Sequence, residues 1–327
     1  MTRSERGVVR VVVLDDYQGL AGRFGPWDEL GERLELVVVD HHVADDDVLV
    51  AILAGADVVL AMRERTRFPR ERLERMDNLG LIVTRGMRNA AIDLEAAAKA
   101  GITVAGTASP GMPTAELTWA LILALARNVV AEDRALKSAG WQHTLGIELE
   151  GRTLGLIGLG KLGTRVAEIG KVFGMRVVAW SQNLDAEHAK AQGVEPVAKE
   201  ELLATSDVVS IHTRLSDRTR GLIGRDEFAM MRSTAYLVNT SRGPIVDEAA
   251  LVEALRRGVI AGAGLDVFDT EPLPVGHPLR SLDNVVLTPH LGYVTEEGMA
   301  AFYQEVVPII ADWMEGRPVP ELPRDSG

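Results

Sequence analysis

The stretch Gly151-Arg-Thr-Leu-Gly-Leu-Ile-Gly-Leu-Gly-Lys-Leu-Gly163 decides the fold. An apolar strand over 153–157 runs directly into Gly158-x-Gly160-x-x-Gly163, and a helix-period segment over 161–173 follows, closed by Gly174. Each glycine has its own task. Gly158 permits the tight turn, Gly160 lets the backbone approach a pyrophosphate at the helix N-terminus, and Gly163 lets helix and strand pack closely. The strand before and the helix after make this short motif informative, and they predict a dinucleotide-binding βαβ unit.

The same alternation extends in both directions. Downstream, strands are predicted over 176–180, 207–212, 234–239, 262–266 and 284–287, with helices over 185–192, 225–231 and 248–257. Six or so strands with crossover helices make a doubly wound parallel sheet. Upstream, a first block has strands over 8–14, 34–39, 57–60, 79–84 and 102–105, and helices over 45–54, 70–76 and 94–100, with Gly101 as a C-terminal cap. Between the blocks, Ala108-Ser-Pro-Gly-Met-Pro-Thr114 is punctuation, and Pro113 or Thr114 opens an apolar helix over 115–127. The expected hinge is Ser109–Pro110. A last helix over 296–314 follows the second block and is expected to return to the first.

Composition narrows the chemistry. The 327 residues carry 35 Lys+Arg against 47 Asp+Glu, a net charge of −12, with 46% hydrophobic residues and no cysteine. The absence of cysteine removes disulfides, thiolate metal sites and cysteine nucleophiles, and no metal site is expected. Net negative charge without a basic stripe argues against nucleic-acid binding. The N-terminal apolar run is broken by Arg10 and ended by Asp15 and Asp16, so it reads as a strand; the longest membrane-like stretch, 117–126, is half a span. The expectation is a cytoplasmic protein without a membrane partner.

Three polar residues follow predicted strands of the second block, where open α/β sheets bind ligands. They are Arg242 in LVNTSRGPIVDEAAL, Glu271 in GLDVFDTEPLP and His290 in LTPHLG. A histidine beside a carboxylate exchanges protons near neutral pH, and an arginine grips a carboxylate with a planar fork. A substrate with a carboxylate next to a carbonyl fits all three. Taken singly, each residue has an ordinary structural explanation; their joint occurrence beyond the glycine motif carries the reading.

The acid expected about 20 residues after the glycines, which would bind a ribose 2′-hydroxyl, is missing. Ser181 and Gln182 stand at the end of the second strand, and Asp185 lies a few residues beyond. No arginine replaces the acid, so the sequence leaves NAD and NADP both open, with a lean toward tolerance of NADP.

With GRTLGLIGLGKLGTRVA, DVVSIHTRLSDRTRGLI, LVNTSRGPIVDEAALVEAL, GLDVFDTEPLP and LTPHLG in order, the chain resembles the D-isomer-specific 2-hydroxyacid dehydrogenases over nearly its whole length. The resemblance implies catalytic Arg242, Glu271 and His290, and Asp266 near the nicotinamide carboxamide. It also implies cofactor contacts from Lys161, Leu162, His212, Thr213, Thr240, Ser241 and Gly292, beside Gly158, Gly160 and Gly163. The implied fold is α/β: two Rossmann-like doubly wound domains with a cleft between, a flavodoxin-like substrate domain of 1–109 and 295–327 and an NAD(P)-binding Rossmann domain of 110–294. Homodimers joined through the region of 115–141 are implied too.

The sequence departs from the family pattern at named places. The loop Gly86-Met87-Arg88 occupies the place where backbone N–H groups hold the substrate carboxylate, with Arg88 where a glycine is common. Arg214 stands where proline is usual, and Tyr293 where small residues are usual. Arg63 and Arg65, in Arg63-Glu-Arg-Thr66, resemble the basic loop of phosphoglycerate dehydrogenases; they bind a second anionic group or, equally, form a solvated loop neutralised by Glu64. The expected activity is interconversion of a D-2-hydroxy acid and a 2-oxo acid, with a phosphoglycerate dehydrogenase-like enzyme or a dinucleotide-sensing corepressor-like protein as alternatives. Formate dehydrogenase is disfavoured, because there an amide replaces the acid found here as Glu271.

Overall fold

The computed structural model describes residues 7–108 and 111–323. The chain separates into two compact units: Met1–Gly111 with Thr295–Gly327, and Met112–Val294. The expected hinge at Ser109–Pro110 lies outside the described residues.

In the first unit β1 (Val9–Val13), β2 (Leu34–Val38), β3 (Val58–Ala61), β4 (Leu81–Thr84) and β5 (Thr103–Gly106) alternate with α1 (Ala21–Phe24), α2 (Asp46–Leu53), α3 (Arg70–Leu73) and α4 (Leu94–Lys99). Strand order is β2-β1-β3-β4-β5, all parallel, with Val11 paired to Leu36 on one side and Val58 on the other. Asp45 and Asp93 start α2 and α4 by accepting from the amides of Val48 and Ala96 at 3.0 and 2.8 Å. Val12, Val59, Ile82, Phe68 and Leu73 close the core on one face of the sheet.

The second unit begins with α5 (Pro113–Ala126) and α6 (Val129–Lys137). Pro113 stands at the start of α5, where its missing N–H costs nothing. Then come β6 (Thr153–Ile157), α7 (Lys161–Val172), β7 (Arg176–Trp180), α8 (Ala186–Ala191), β8 (Glu195–Pro196), α9 (Lys199–Thr205) and β9 (Val208–Ile211). They are followed by α10 (Arg225–Met230), β10 (Tyr236–Asn239), α11 (Glu248–Arg256), β11 (Gly262–Leu265) and β12 (Val285–Leu287). The seven strands are all parallel, in the order β12-β11-β10-β9-β6-β7-β8. Successive residues of each strand serve opposite faces: Ile157, Val209 and Leu237 enter one core, while Leu156, Val208 and Val238 enter the other. The sequence missed α1, α6, β8 and α9. α1 has four residues, α6 has no buried residue, β8 has two residues, and α9 has seven.

The chain then returns to the first unit through α12 (Glu296–Met314), capped by Thr295. Beyond it, Leu322 donates to the carbonyl of Val104 at 2.9 Å and Glu321 forms an antiparallel bridge with Ala105, so the C-terminal segment finishes the β5 edge. No single helix among the described residues is long and apolar enough to cross a membrane.

The β6–α7 junction fixes the second unit. A Cβ on Gly163 would lie 2.2 Å from the carbonyl oxygen of Gly158, whereas one on Gly160 would meet nothing within 4 Å. Gly163→Ala is therefore expected to destabilise the protein by about 1–3 kcal/mol, because the obstacle is backbone, and Gly160→Ala by less than about 1 kcal/mol. Denaturant melts of both variants check this; equal stabilities would contradict the packing argument.

Candidate active site

Strand ends supply the polar residues of the second unit. At the end of β6, Gly158 takes φ +100°, and its missing Cβ makes room for the backbone of His212 and Thr213 at the end of β9. Gly160 precedes the first turn of α7 and opens onto free space. That combination, a sharp turn, an uncovered glycine and a 12-residue helix aimed at it, fits a dinucleotide pyrophosphate. Lys161 and Leu162 begin the helix there. Beyond β7, Ser181 accepts from the amide of Leu184 at 3.2 Å in a turn. Asp185 caps α8 through Oδ1, which accepts from the amides of Glu187 and His188 at 2.9 and 3.1 Å. Trp180, Ser181 and Gln182 carry no carboxylate.

At β9, His212 bonds Ser210 Oγ through Nε2 at 2.9 Å. Burial penalises its charged form and pushes its pKa down to about 4. The imidazole therefore stands neutral beside the glycine turn. Beyond β10, Thr240 exchanges a 2.8 Å hydrogen bond with Thr118 of α5, and Ser241 Oγ donates to the carbonyl of Thr213. Asn239 braces this loop with its own amide, donating to Arg242 O at 2.9 Å and accepting from Ser241 N at 3.0 Å.

Arg242 is followed by Gly243, where a Cβ would lie 2.1 Å from the backbone of Phe268. The arginine loop and the loop after β11 thus touch backbone to backbone. Phe268 N donates to Glu271 Oε1 at 2.9 Å, which leaves Oε2 for His290 Nδ1 at 2.6 Å. Asp266, buried at the end of β11, accepts from Thr288 Oγ1, Leu291 N and Gly292 N at 2.6, 2.7 and 2.8 Å. Its pKa is raised by burial, which outweighs these donors. The same bonds pin the turn on either side of His290, whose φ is +54°, a conformation rare for a residue with a Cβ. Thr114 Oγ1 donates to Gly292 O at 2.7 Å from the start of α5. Asn239, Thr118 and Thr288 were not singled out from sequence, and Thr114 was read only as a helix opener; Asn239, Thr288 and Thr114 share the signal of a polar side chain at a strand end or first helical turn.

In the first unit, Gly86 follows β4 with φ +85°. Arg63 lies against it: its Nη1 donates to Arg85 O at 3.3 Å and would be 2.7 Å from a Cβ on Gly86. Arg63 itself has φ +55°, and its carbonyl is held by Asn89 Nδ2 at 2.6 Å. Glu64 stands 3.5 Å from Arg63 Nε. Arg65 turns the other way, donating to Asp15 O at 2.8 Å and lying over the Tyr17 ring at 4.6 Å. Met87 and Arg88 are exposed. The structure thus brings Arg63 to the Gly86 loop and sends Arg65 to the end of β1. Among the described residues, no group of three or more histidine, aspartate or glutamate side chains could hold a metal ion.

Known proteins resemble this chain in sequence and in fold. The family described as D-isomer specific 2-hydroxyacid dehydrogenase, NAD binding domain, matches residues 119–292. The chain is 46% identical to a glyoxylate reductase of Aeropyrum pernix over 243 residues, 71% of this chain and 72% of that one. It is 41% identical to a D-3-phosphoglycerate dehydrogenase of Methanocaldococcus jannaschii over 77% of this chain, a match spanning 49% of that longer protein. A crystal structure of phosphoglycerate oxidoreductase from Vibrio cholerae O395 superposes with a TM-score of 0.89 at 33% identity, covering 94% of this chain and 100% of that one.

The low pKa of His212 has a consequence for stability. Between pH 6.5 and about 4 the unfolded chain takes up a proton at this position and the folded chain does not, so this contribution is present above pH 6.5 and lost as pH falls through about 4. Histidine NMR titration is expected to show the His212 ring neutral at pH 5.5; an ordinary titration near 6.5 would contradict it.

Proposed function

The chain belongs to the D-isomer-specific 2-hydroxyacid dehydrogenase family, and we propose that it interconverts a small D-2-hydroxy acid and its 2-oxo acid with NAD(H) or NADP(H). The observation that carries this reading is the 2.6 Å bond between His290 Nδ1 and Glu271, on a loop in backbone contact with that of Arg242.

The glycine turn with Lys161 and Leu162 would hold the dinucleotide, with Ser181, Gln182, His212, Thr213, Thr240, Ser241, Asp266 and Gly292 as further contacts; when bound, it supplies or accepts the hydride. Arg242 binds the substrate carboxylate through its planar fork and so orients the adjacent carbonyl. His290 holds the proton for the carbonyl oxygen, and in oxidation takes the proton of the hydroxyl. Glu271 fixes the ring through Nδ1, which leaves Nε2 as the exchanging nitrogen, and stabilises the imidazolium while it exists. In the first unit, we assign Gly86, Met87, Arg88 and Arg63 to substrate anions by their backbone and guanidinium donors.

One observation favours a small unphosphorylated acid. Arg63 has Glu64 beside it, and Arg65 is held at the end of β1 by the Asp15 carbonyl and the Tyr17 ring, so of the two only Arg63 lies on the Gly86 loop and it shares its charge with Glu64. Among the named relatives, the glyoxylate reductase accords with this reading and the phosphoglycerate enzymes accord with the alternative. The carboxylate-free end of β7 supports acceptance of both cofactors. Parallel assays of glyoxylate, hydroxypyruvate and phosphorylated 2-oxo acids with NADH and NADPH are expected to show reduction of the unphosphorylated acids with both. His290→Ala is expected to lower kcat by about 100-fold or more, as removal of a positioned proton donor does, with dinucleotide affinity little changed. An active His290→Ala enzyme would refute the assignment.

Val129, Val130, Leu136, Trp141 and Leu145 expose apolar surface on and after α6, which supports a homodimer formed through this region. Light scattering is expected to give twice the chain mass, and Leu136→Asp combined with Trp141→Asp a monomer; a monomeric parent protein would contradict it.

A further inference from the structure

His290 is held at one point of its ring. The bond from Nδ1 to Glu271 fixes one ring atom, and the rest of the ring is set by rotation about Cα–Cβ and Cβ–Cγ. Proton transfer needs more than this, since the exchanging nitrogen must be aimed within tens of degrees. A second contact is present. The Tyr293 ring meets the His290 ring edge to face, with centroids 5.7 Å apart and planes at 76°.

Tyr293 is itself well placed to act as a fixed wall. It is 9% exposed. The backbone before it is tied down by the bonds from Leu291 N and Gly292 N to Asp266 and from Thr114 Oγ1 to Gly292 O. Behind it, Val294 N donates to Leu291 O at 2.8 Å, closing the turn. Three residues of one short turn therefore share one framework: His290 in its left-handed conformation, Gly292 packed against Asp266 and Thr114, and Tyr293 against the imidazole.

We propose that Tyr293 is a positioning residue for His290, its ring setting the plane of the imidazole whose Nδ1 is fixed by Glu271. The inference rests on the reading of His290 as the proton donor. An aromatic edge-to-face pair favours one relative orientation of the two rings. The ring performs this task, and the hydroxyl does not enter into it.

The test compares Tyr293→Leu and Tyr293→Phe in the full-length protein, using the 2-oxo acid that the parent enzyme reduces best. Tyr293→Leu is expected to lower kcat about three- to tenfold, the range of an aromatic pair, while the Kd for the dinucleotide, followed by its fluorescence, stays within about twofold. Tyr293→Phe is expected to keep kcat within about twofold, because the ring remains. If Tyr293→Leu does not fold, Tyr293→Met, similar in length and without a ring, is read in its place. Unchanged kcat in the ringless variant overturns the proposal, and so does a fall in Tyr293→Phe as large as in Tyr293→Leu, which would put the effect on the hydroxyl. His290→Ala measured alongside separates the two levels. If it is active, the reading of the site fails; if it is inactive while Tyr293→Leu matches the parent, only the role of Tyr293 fails.

Discussion

Parallel pairing imposes one constraint from which the second unit's site follows. Strands that all run the same way deliver their carboxyl ends to a single edge. Here those ends are Gly158 after β6, Ser181 after β7, His212 after β9, Arg242 after β10, Asp266 after β11 and His290 after β12. Residues more than a hundred positions apart in the chain thus converge without any element being built for the purpose. The glycines decide how closely they converge. Gly158 admits the β9 end, and Gly243 admits the loop that carries Glu271.

Within that frame some polar groups hold others in place. Asp266 is the central holder. Its carboxylate gathers a hydroxyl and two amides around the one turn in which His290 adopts a left-handed backbone. Such a conformation persists only when its surroundings over-determine it. Asn239 does the same for the arginine loop and Asn89 for Arg63 in the first unit, each with one amide that both donates and accepts. Neither amide changes charge with pH, which suits a group whose only task is to fix a loop.

The glycine turn, the strand–helix alternation and the candidate trio Arg242, Glu271 and His290 stand out in the sequence because each is a local pattern. A parallel strand buried on both faces is a short apolar run, a fingerprint occupies six positions, and each candidate residue stands in a short motif. The segments that sequence missed have weak local signals. Exposed α6 has no buried stripe to give it a helical period, and β8 has only two residues. The two arginines of Arg63-Glu-Arg-Thr66 look alike as letters, yet one lies on Gly86 and the other on Tyr17.

Sequence by itself determined the fold class, the place of the dinucleotide turn and the residues able to move a proton, since these depend on periodicity, on glycine and on side-chain chemistry. Tertiary structure alone decided which atoms meet. That Glu271 offers one oxygen to Phe268 and the other to His290, and that Tyr293 sets its ring on the imidazole, both depend on distances between segments of the site. Those distances are set by strand register and close backbone packing, which no single stretch of the chain encodes.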